Sequence, residues 1–386
     1  MTVSHRTHSV LWTVLLLAAW SAGNAVSQEN SAAAVPLDPA SATTEYGDDL
    51  LWYDAADLPI DGKGWSDVDA YYDRLPARAE GVVRPPVWNL SRNSAGLAIR
   101  FLTDSPAIAA RWVLRGSNLA MPHMPATGVS GLDLYVKLAD RWVWIANGRP
   151  SQVTTQARLV AGIPEGMHEY LLYLPLYNGV TSVHIGINPD SVLAAPSERP
   201  ETTRRPILFW GTSITQGGCA SRPGMAYPSI VGRMMDRPTI NLGFSGNGKL
   251  EPELAALIAE LDVAVFVLDC CPNLKPEEIA ERTEPVVQAF REAHPDTPIV
   301  LMESIIYQSS YFLPGTRRSY EAKNAELKAA YERLQAAGVT NLHYIPCDHL
   351  FGDDAEATVD GTHATDLGFQ RMAEAVAPLL KSVAGN

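Results

Sequence analysis

From Pro206 onward, apolar runs of strand length alternate with helical patterns, and this alternation limits the fold more than any other feature of the chain. The runs cover 207–210, 239–242, 263–268, 299–302 and 342–345. Apolar residues recur at helical spacing over 251–261, 275–293, 318–337 and 366–380, with Pro252 in a first turn and Gly338 as a stop. Apolar runs this continuous belong to strands covered on both faces. The expected architecture is α/β, a parallel sheet with helices on both faces, and its ligand site should lie at the carboxyl ends of the strands.

The preceding region has a different texture. Between residues 48 and 192, short runs such as 97–101, 108–113, 132–136, 141–145, 169–174 and 182–187 stand between Gly, Pro, Asn and Asp. Several alternate apolar with polar residues, as strands of an antiparallel β-sandwich do. A chain of 386 residues has room for both domains. Residues 193–205, with prolines and charges, read as the linker between the sandwich and the α/β domain over 206–386. Residues 28–47, rich in Ala, Ser and Pro, read as a disordered tether. Residues 1–27 read as a signal peptide: Arg6, an apolar core from Val10 to Trp20, then small residues before a cleavage point after Ala25 or Ser27. That core is short for a membrane span, so the expected location is secreted or periplasmic, without stable membrane insertion.

A net charge of −13 and no Lys/Arg cluster argue against a nucleic-acid partner. The four cysteines, Cys219, Cys270, Cys271 and Cys347, are compatible with buried thiols or with a disulfide, and none stands at a zinc-ligand spacing.

The strand ends carry the chemistry. The first run ends in Gly211-Thr212-Ser213, and the second in a glycine-rich loop containing Gly246. The third leads through Cys270-Cys271-Pro272 to Asn273, and Asp360-Gly361-Thr362-His363 precedes the last helix. Taken singly, Ser213, Asn273, Asp360 and His363 are ordinary turn or capping residues, and Gly246 an ordinary turn former. Their joint order at the ends of one sheet resembles the SGNH hydrolase superfamily, the GDSL-type esterases, whose four blocks carry Ser, Gly, Asn and Asp-x-x-His. Gly131-Leu132-Asp133-Leu134-Tyr135 is similar to the Gly-x-Asp-Leu-Tyr signature of the β domain that precedes one SGNH subgroup. Thr212 stands where many members have Asp, and Cys271-Pro272 replaces a glycine-containing approach to the third block.

The resemblance implies a flavodoxin-like SGNH domain with Ser213 as nucleophile, His363 as general base and Asp360 orienting the imidazole. The backbone amides of Ser213 and Gly246, with the Asn273 side chain, would form the oxyanion hole. It implies no cofactor and no metal. It associates a secreted enzyme with an accessory β domain with deacetylation of poly- or oligosaccharides through an acyl-enzyme. An acetylated carbohydrate or other small ester is then the expected partner. A general short-chain esterase or lipase, an acyltransferase, and a non-catalytic glycan-binding protein are the alternatives. The Met- and Pro-rich stretch 118–128 breaks the β pattern and is expected to wall the site, with His123 nearest and Met124 beside it. Glu303, at the end of the fourth strand, is a further expected pocket residue. Most of the nine tryptophans are expected in the core of the β domain.

Overall fold

The computed structural model describes residues 1–2, 34–47 and 49–385, and Ala33–Asn386 form one compact unit. Apart from Met1 and Thr2, the expected signal segment lies outside the described residues.

Five parallel strands, Ile207–Gly211, Thr239–Gly243, Val265–Asp269, Ile299–Met302 and Leu342–Ile345, form a sheet in the spatial order second, first, third, fourth, fifth. Every residue of the first three is buried, which is why their sequences are unbroken apolar runs. Alternate side chains serve opposite faces. Leu208, Trp210, Phe266 and Leu268 pack with Leu254, Ile279, Phe290 and Leu327 from helices Pro252–Ile258, Pro276–Ala293 and Pro314–Ala336. Ile207, Phe209, Val265 and Val267 pack with Ile230, Phe369 and Val376 from helices Tyr227–Met235 and Asp366–Val383. The first strand lies between the second and the third, in the register Gly211 to Gly243 and to Asp269. The chain therefore reverses direction across the sheet beside the end of the first strand, the crevice where such sheets bind ligands.

Residues 34–195 form two antiparallel sheets, of seven and four strands, around Tyr53, Phe101, Trp112, Leu134, Tyr170 and Ile185. Two of these strands differ from expectation. Thr154–Ala161 is an edge strand with one open face, so its sequence is too polar to stand out. Leu51–Asp54 pairs with the far end of the region, His184 to Ile187.

The described part of the expected tether is ordered. Val35–Pro36 pairs with Leu193–Ala195, and Thr43 exchanges both backbone hydrogen bonds with Trp52, at 2.9 and 3.0 Å. An edge strand tolerates Pro36, and its partners come from distant sequence, so local composition could not reveal the order. By the same pairing, residues 193–195 belong to the sandwich and not to a linker.

Two of the contacts that join the domains bear directly on the strand ends and on the loop after Ser213. Arg74 is buried, and its Nη1 donates to the carbonyls of Asn241 and Gly243 at 2.9 Å each, at the tip of the second parallel strand. Its Nε and Nη2 hold the carbonyls of Asn93 and Leu90. The second contact uses the signature residues. Asp133, fully buried, accepts from Arg222 Nη1 at 2.8 Å, the Gly224 amide at 2.8 Å and Trp144 Nε1 at 2.7 Å, while Tyr135 bonds the same Arg222. The β domain thus grips the loop that follows the Gly211-Thr212-Ser213 turn. Asp133→Ala leaves the largely buried Arg222 charge without its partner and is expected to lower the unfolding free energy by about 3–5 kcal/mol in urea titrations.

Candidate active site

The site begins where the first strand stops. Thr212 caps the one-turn helix Ser213–Gln216: its Oγ1 accepts from the Ile214 amide at 3.2 Å, and its own amide donates to Thr215 Oγ1 at 3.2 Å. The threonine in place of the more frequent aspartate therefore has a capping role. Thr215 Oγ1 in turn donates to Asp269 Oδ2 at 2.6 Å, and Tyr227 Oη donates to the same oxygen at 2.9 Å. Burial pushes the Asp269 carboxyl up to about 7 against the pull of these two hydroxyls. The turn carrying Ser213 is thus anchored from beneath by a buried acid.

Ser213 Oγ and His363 Nε2 stand 2.8 Å apart, and His363 Nδ1 and Asp360 Oδ2 2.7 Å apart. Asp360 Oδ1 accepts from the amides of His363 and Thr362, at 2.8 and 3.0 Å. Partial burial would raise this carboxyl, but these amides and the imidazole outweigh it and hold Asp360 below the ordinary range. An ionised carboxylate only accepts, so Nδ1 carries the imidazole proton and Nε2 is left to accept from the serine hydroxyl. Asp-x-x-His is the spacing that lets one tight loop make this contact while the carboxylate also fixes the loop backbone.

A cavity of about 370 Å³ opens over Ser213. Thr212, Ile214, Ser245, Gly246, Pro272, Asn273, Tyr307, Thr362 and His363 complete its wall. Gly246 has φ +69 and open space around its α-carbon. Gly248 lies so close to the first strand that a Cβ would meet the Gly211 carbonyl at 2.0 Å, so only glycine brings this loop against the Ser213 turn. The Gly248 amide donates to Asn273 Oδ1 at 3.3 Å, which leaves Nδ2 as the Asn273 side-chain donor for the cavity. The Cys271-Pro272-Asn273 sequence forms a single 3-10 turn that presents Asn273 to the cavity wall. Ser213, Gly246, Asn273 and His363, far apart in sequence, thus line one space, with Asp360 behind the imidazole.

A chain identical at 38% of positions, a protein assigned as a GDSL-like lipase from Bacteroides ovatus, superposes with a TM-score of 0.82 over 86% of this chain and 98% of its own. The chain belongs to the GDSL-like hydrolase family. Residues 204–381 match the profile of the GDSL-like lipase/acylhydrolase family, and residues 50–193 match GxDLY, described as the N-terminus of SGNH-hydrolase-type esterases. Two more distant structures share the fold of this GDSL-like hydrolase. A salicylyl-acyltransferase from a tetracycline biosynthetic pathway is 21% identical, with a TM-score of 0.65 over 84% of this chain and 94% of its own. A family two carbohydrate esterase from Clostridium thermocellum, solved with cellohexaose, is 14% identical, with a TM-score of 0.54 over 75% of this chain and 92% of its own. No curated protein matches by sequence.

Of the three residues expected to line the pocket from outside the four blocks, none is on the cavity wall, and His123 alone of the three stands near His363. Met121 and Met124 exchange backbone hydrogen bonds of 3.0 and 3.1 Å, which puts Pro122-His123 at the tip of a tight hairpin. The His123 ring lies 5.9 Å from that of His363, centroid to centroid. Met124 does not line the cavity: it points inward and is buried in the apolar cluster that holds Ile214 and Ala220. Glu303 is also displaced from that role. Its Oε1 accepts from Tyr344 Oη at 2.5 Å and its Oε2 from the Cys347 amide at 2.7 Å, so the carboxylate ties the fourth strand to the chain after the fifth.

Sequence reading missed Tyr177, whose buried hydroxyl donates to the Ser213 carbonyl at 3.2 Å, and Tyr307 on the cavity wall. It also missed Gln216, whose Oε1 accepts from the Ser245 amide at 3.0 Å and so shapes the glycine loop. Their only sequence signal is position: Gln216 one turn after Ser213, Tyr307 just past a strand end. All four cysteines are free thiols. Burial first, and the Asp360 charge second, push the Cys219 thiol up to about 12, so it stays protonated.

Of the β-domain tryptophans expected in the core, Trp112 is fully buried, while Trp142 Nε1 bonds Asp236 and Trp144, 44% exposed, bonds Asp133 through its Nε1. No helix among the described residues is long and apolar enough to cross a membrane.

Proposed function

We propose that this GDSL-like hydrolase is an exported serine esterase that removes acetyl groups from poly- or oligosaccharides. The observation that carries the reading is the unbroken hydrogen-bond chain from Asp360 through His363 to Ser213, ending in an open cavity with amide donors on its wall. Ser213 Oγ attacks the acyl carbon as His363 Nε2 takes its proton. The oxyanion is received by the Ser213 and Gly246 amides and Asn273 Nδ2. His363 then gives the proton to the departing sugar oxygen, leaving acetyl on Ser213. Water, deprotonated by the same imidazole, releases acetate and restores the serine.

Support for a small acyl group and a sugar leaving group comes from three sides. The wall mixes the polar groups of Ser213, Ser245, Asn273, Thr362 and His363 with apolar surface from Ile214, Pro272 and Tyr307. The cavity is open to solvent, as a bulky alcohol requires. The fold is shared with a carbohydrate esterase solved with cellohexaose. Export rests on the charged, apolar and small-residue succession in residues 1–27.

The salicylyl-acyltransferase relative favours a second reading, acyl transfer to an alcohol instead of water. Acetate release from acetylated xylan and xylo-oligosaccharides, run beside nitrophenyl esters of two to eight carbons, distinguishes the cases. The deacetylase should release acetate from the glycans and lose activity with each added acyl carbon. Rates that rise with acyl length would indicate a lipase-like enzyme, and acyl-alcohol products in place of free acid a transferase.

A further inference from the structure

The loop after Ser213 places a thiol beside the two imidazoles. Cys219 follows the Ser213–Gln216 turn, is buried, forms no disulfide, and has φ +79, a left-handed conformation uncommon for a residue with a side chain. The residue before it packs on the base: a Cβ on Gly218 would lie 3.3 Å from Cδ2 of His363, the carbon bonded to Nε2. The hairpin of the β domain brings His123 over the same ring. One ligand atom each from His123, Cys219 and His363 lie within 4.8 Å of one another. Among the described residues, no hydrogen bond occupies a ring nitrogen of His123 or the Cys219 sulfur.

We propose that His123, Cys219 and His363 bind a thiophilic divalent cation, Zn²⁺ above all, and that occupancy switches the hydrolase off. Two imidazoles and one thiolate are a set zinc accepts, with the fourth tetrahedral position left to water. Bond lengths of about 2.0–2.1 Å to nitrogen and 2.3 Å to sulfur set tetrahedral ligand atoms about 3.3–3.6 Å apart. The trio must therefore close by roughly 1 Å, and His123, exposed at a hairpin tip, is the member free to swing. On binding, the Cys219 thiol gives its proton to solvent and its sulfur pair to the metal. His363 gives the metal the Nε2 pair that otherwise accepts from Ser213, while Asp360 keeps its bond to Nδ1. The metal is an inhibitor and not a cofactor, because it occupies the lone pair that the acyl-transfer step requires.

Titration of ZnCl₂ into the full-length protein should progressively stop nitrophenyl acetate hydrolysis, and EDTA should restore it. Cys219→Ser should keep the metal-free rate and need at least about tenfold more Zn²⁺ for half inhibition, since even the loss of an outer-shell partner costs a site that much. Co²⁺ supplies a readout independent of turnover. The wild-type protein should show a thiolate-to-cobalt charge-transfer band that Cys219→Ser lacks and that His123→Gln, an exposed change, weakens. No band, or the same band in Cys219→Ser, would overturn the site. A band without loss of hydrolysis, or equal Zn²⁺ sensitivity in both proteins, would overturn the switch. Because the cobalt band needs no substrate, its outcome is separable from that of the esterase reading.

Discussion

Ser213→Ala is expected to lower kcat for ester hydrolysis by about 10⁴–10⁶-fold, with the thermal unfolding midpoint essentially unchanged. The size follows from what the substitution removes. In the proposed reaction Oγ carries the acyl group, so without it His363 and the proposed oxyanion donors would be left to act on water directly, and such residual catalysis is what serine hydrolases retain when one member is lost. The fold should tolerate the change because Ser213 sits at the first position of its helical turn, and the capping is done by Thr212 and Thr215. Purified variant and wild type compared on nitrophenyl acetate, with circular dichroism on both, decide the matter. Hydrolysis at the wild-type rate in a folded Ser213→Ala protein would place the chemistry at another group. Slow hydrolysis by an unfolded variant would instead point to a structural role for the hydroxyl.

The contrast between what could and could not be read beforehand has a physical source. Ser213, Gly246, Asn273 and His363 were legible because a parallel sheet gathers the carboxyl ends of its strands, so separate strand-terminal residues share one cavity. The Asp360–His363 contact was legible because it is local, made within one loop. Met124 was not, because the inward turn of its side chain depends on the Met121–Met124 pairing, which puts His123 and not Met124 at the tip. Glu303 carried the right chemistry at a plausible strand end, yet Tyr344 and Cys347, more than forty residues later, had already claimed both its oxygens. Arg74 shows the same limit more sharply. Its worth lies in carbonyls of Asn241 and Gly243, in the other domain, and nothing near residue 74 announces them.

The second large effect concerns stability, and its sign is the reverse of the usual carboxylate case. Most native carboxylates are stabilised when ionised, so proteins weaken in acid. Asp269 is fully buried beneath the Ser213 turn with only hydroxyl partners, Thr215 and Tyr227, and no cation facing it in these contacts. Burial pushes its carboxyl from an ordinary 3.8 up to about 7. Between those values the native state keeps a proton that the unfolded chain has released. The unfolded state then binds fewer protons, and the free energy of unfolding contributed by this group falls as pH rises through the window. The contribution is complete below pH 4 and gone above 7, and about 1.4 kcal/mol per pH unit gives a swing of up to roughly 4 kcal/mol. Asp269→Asn keeps an acceptor for both hydroxyls but cannot ionise. Relative to wild type it should therefore gain stability on going from pH 4.5 to pH 8, by an amount approaching that swing. Urea titrations of both proteins at the two pH values measure the difference and cancel every other titrating group. Parallel profiles would mean that Asp269 ionises in the fold as it does in water. The predicted divergence would mean that the Ser213 turn rests on an acid kept protonated through much of the acidic range.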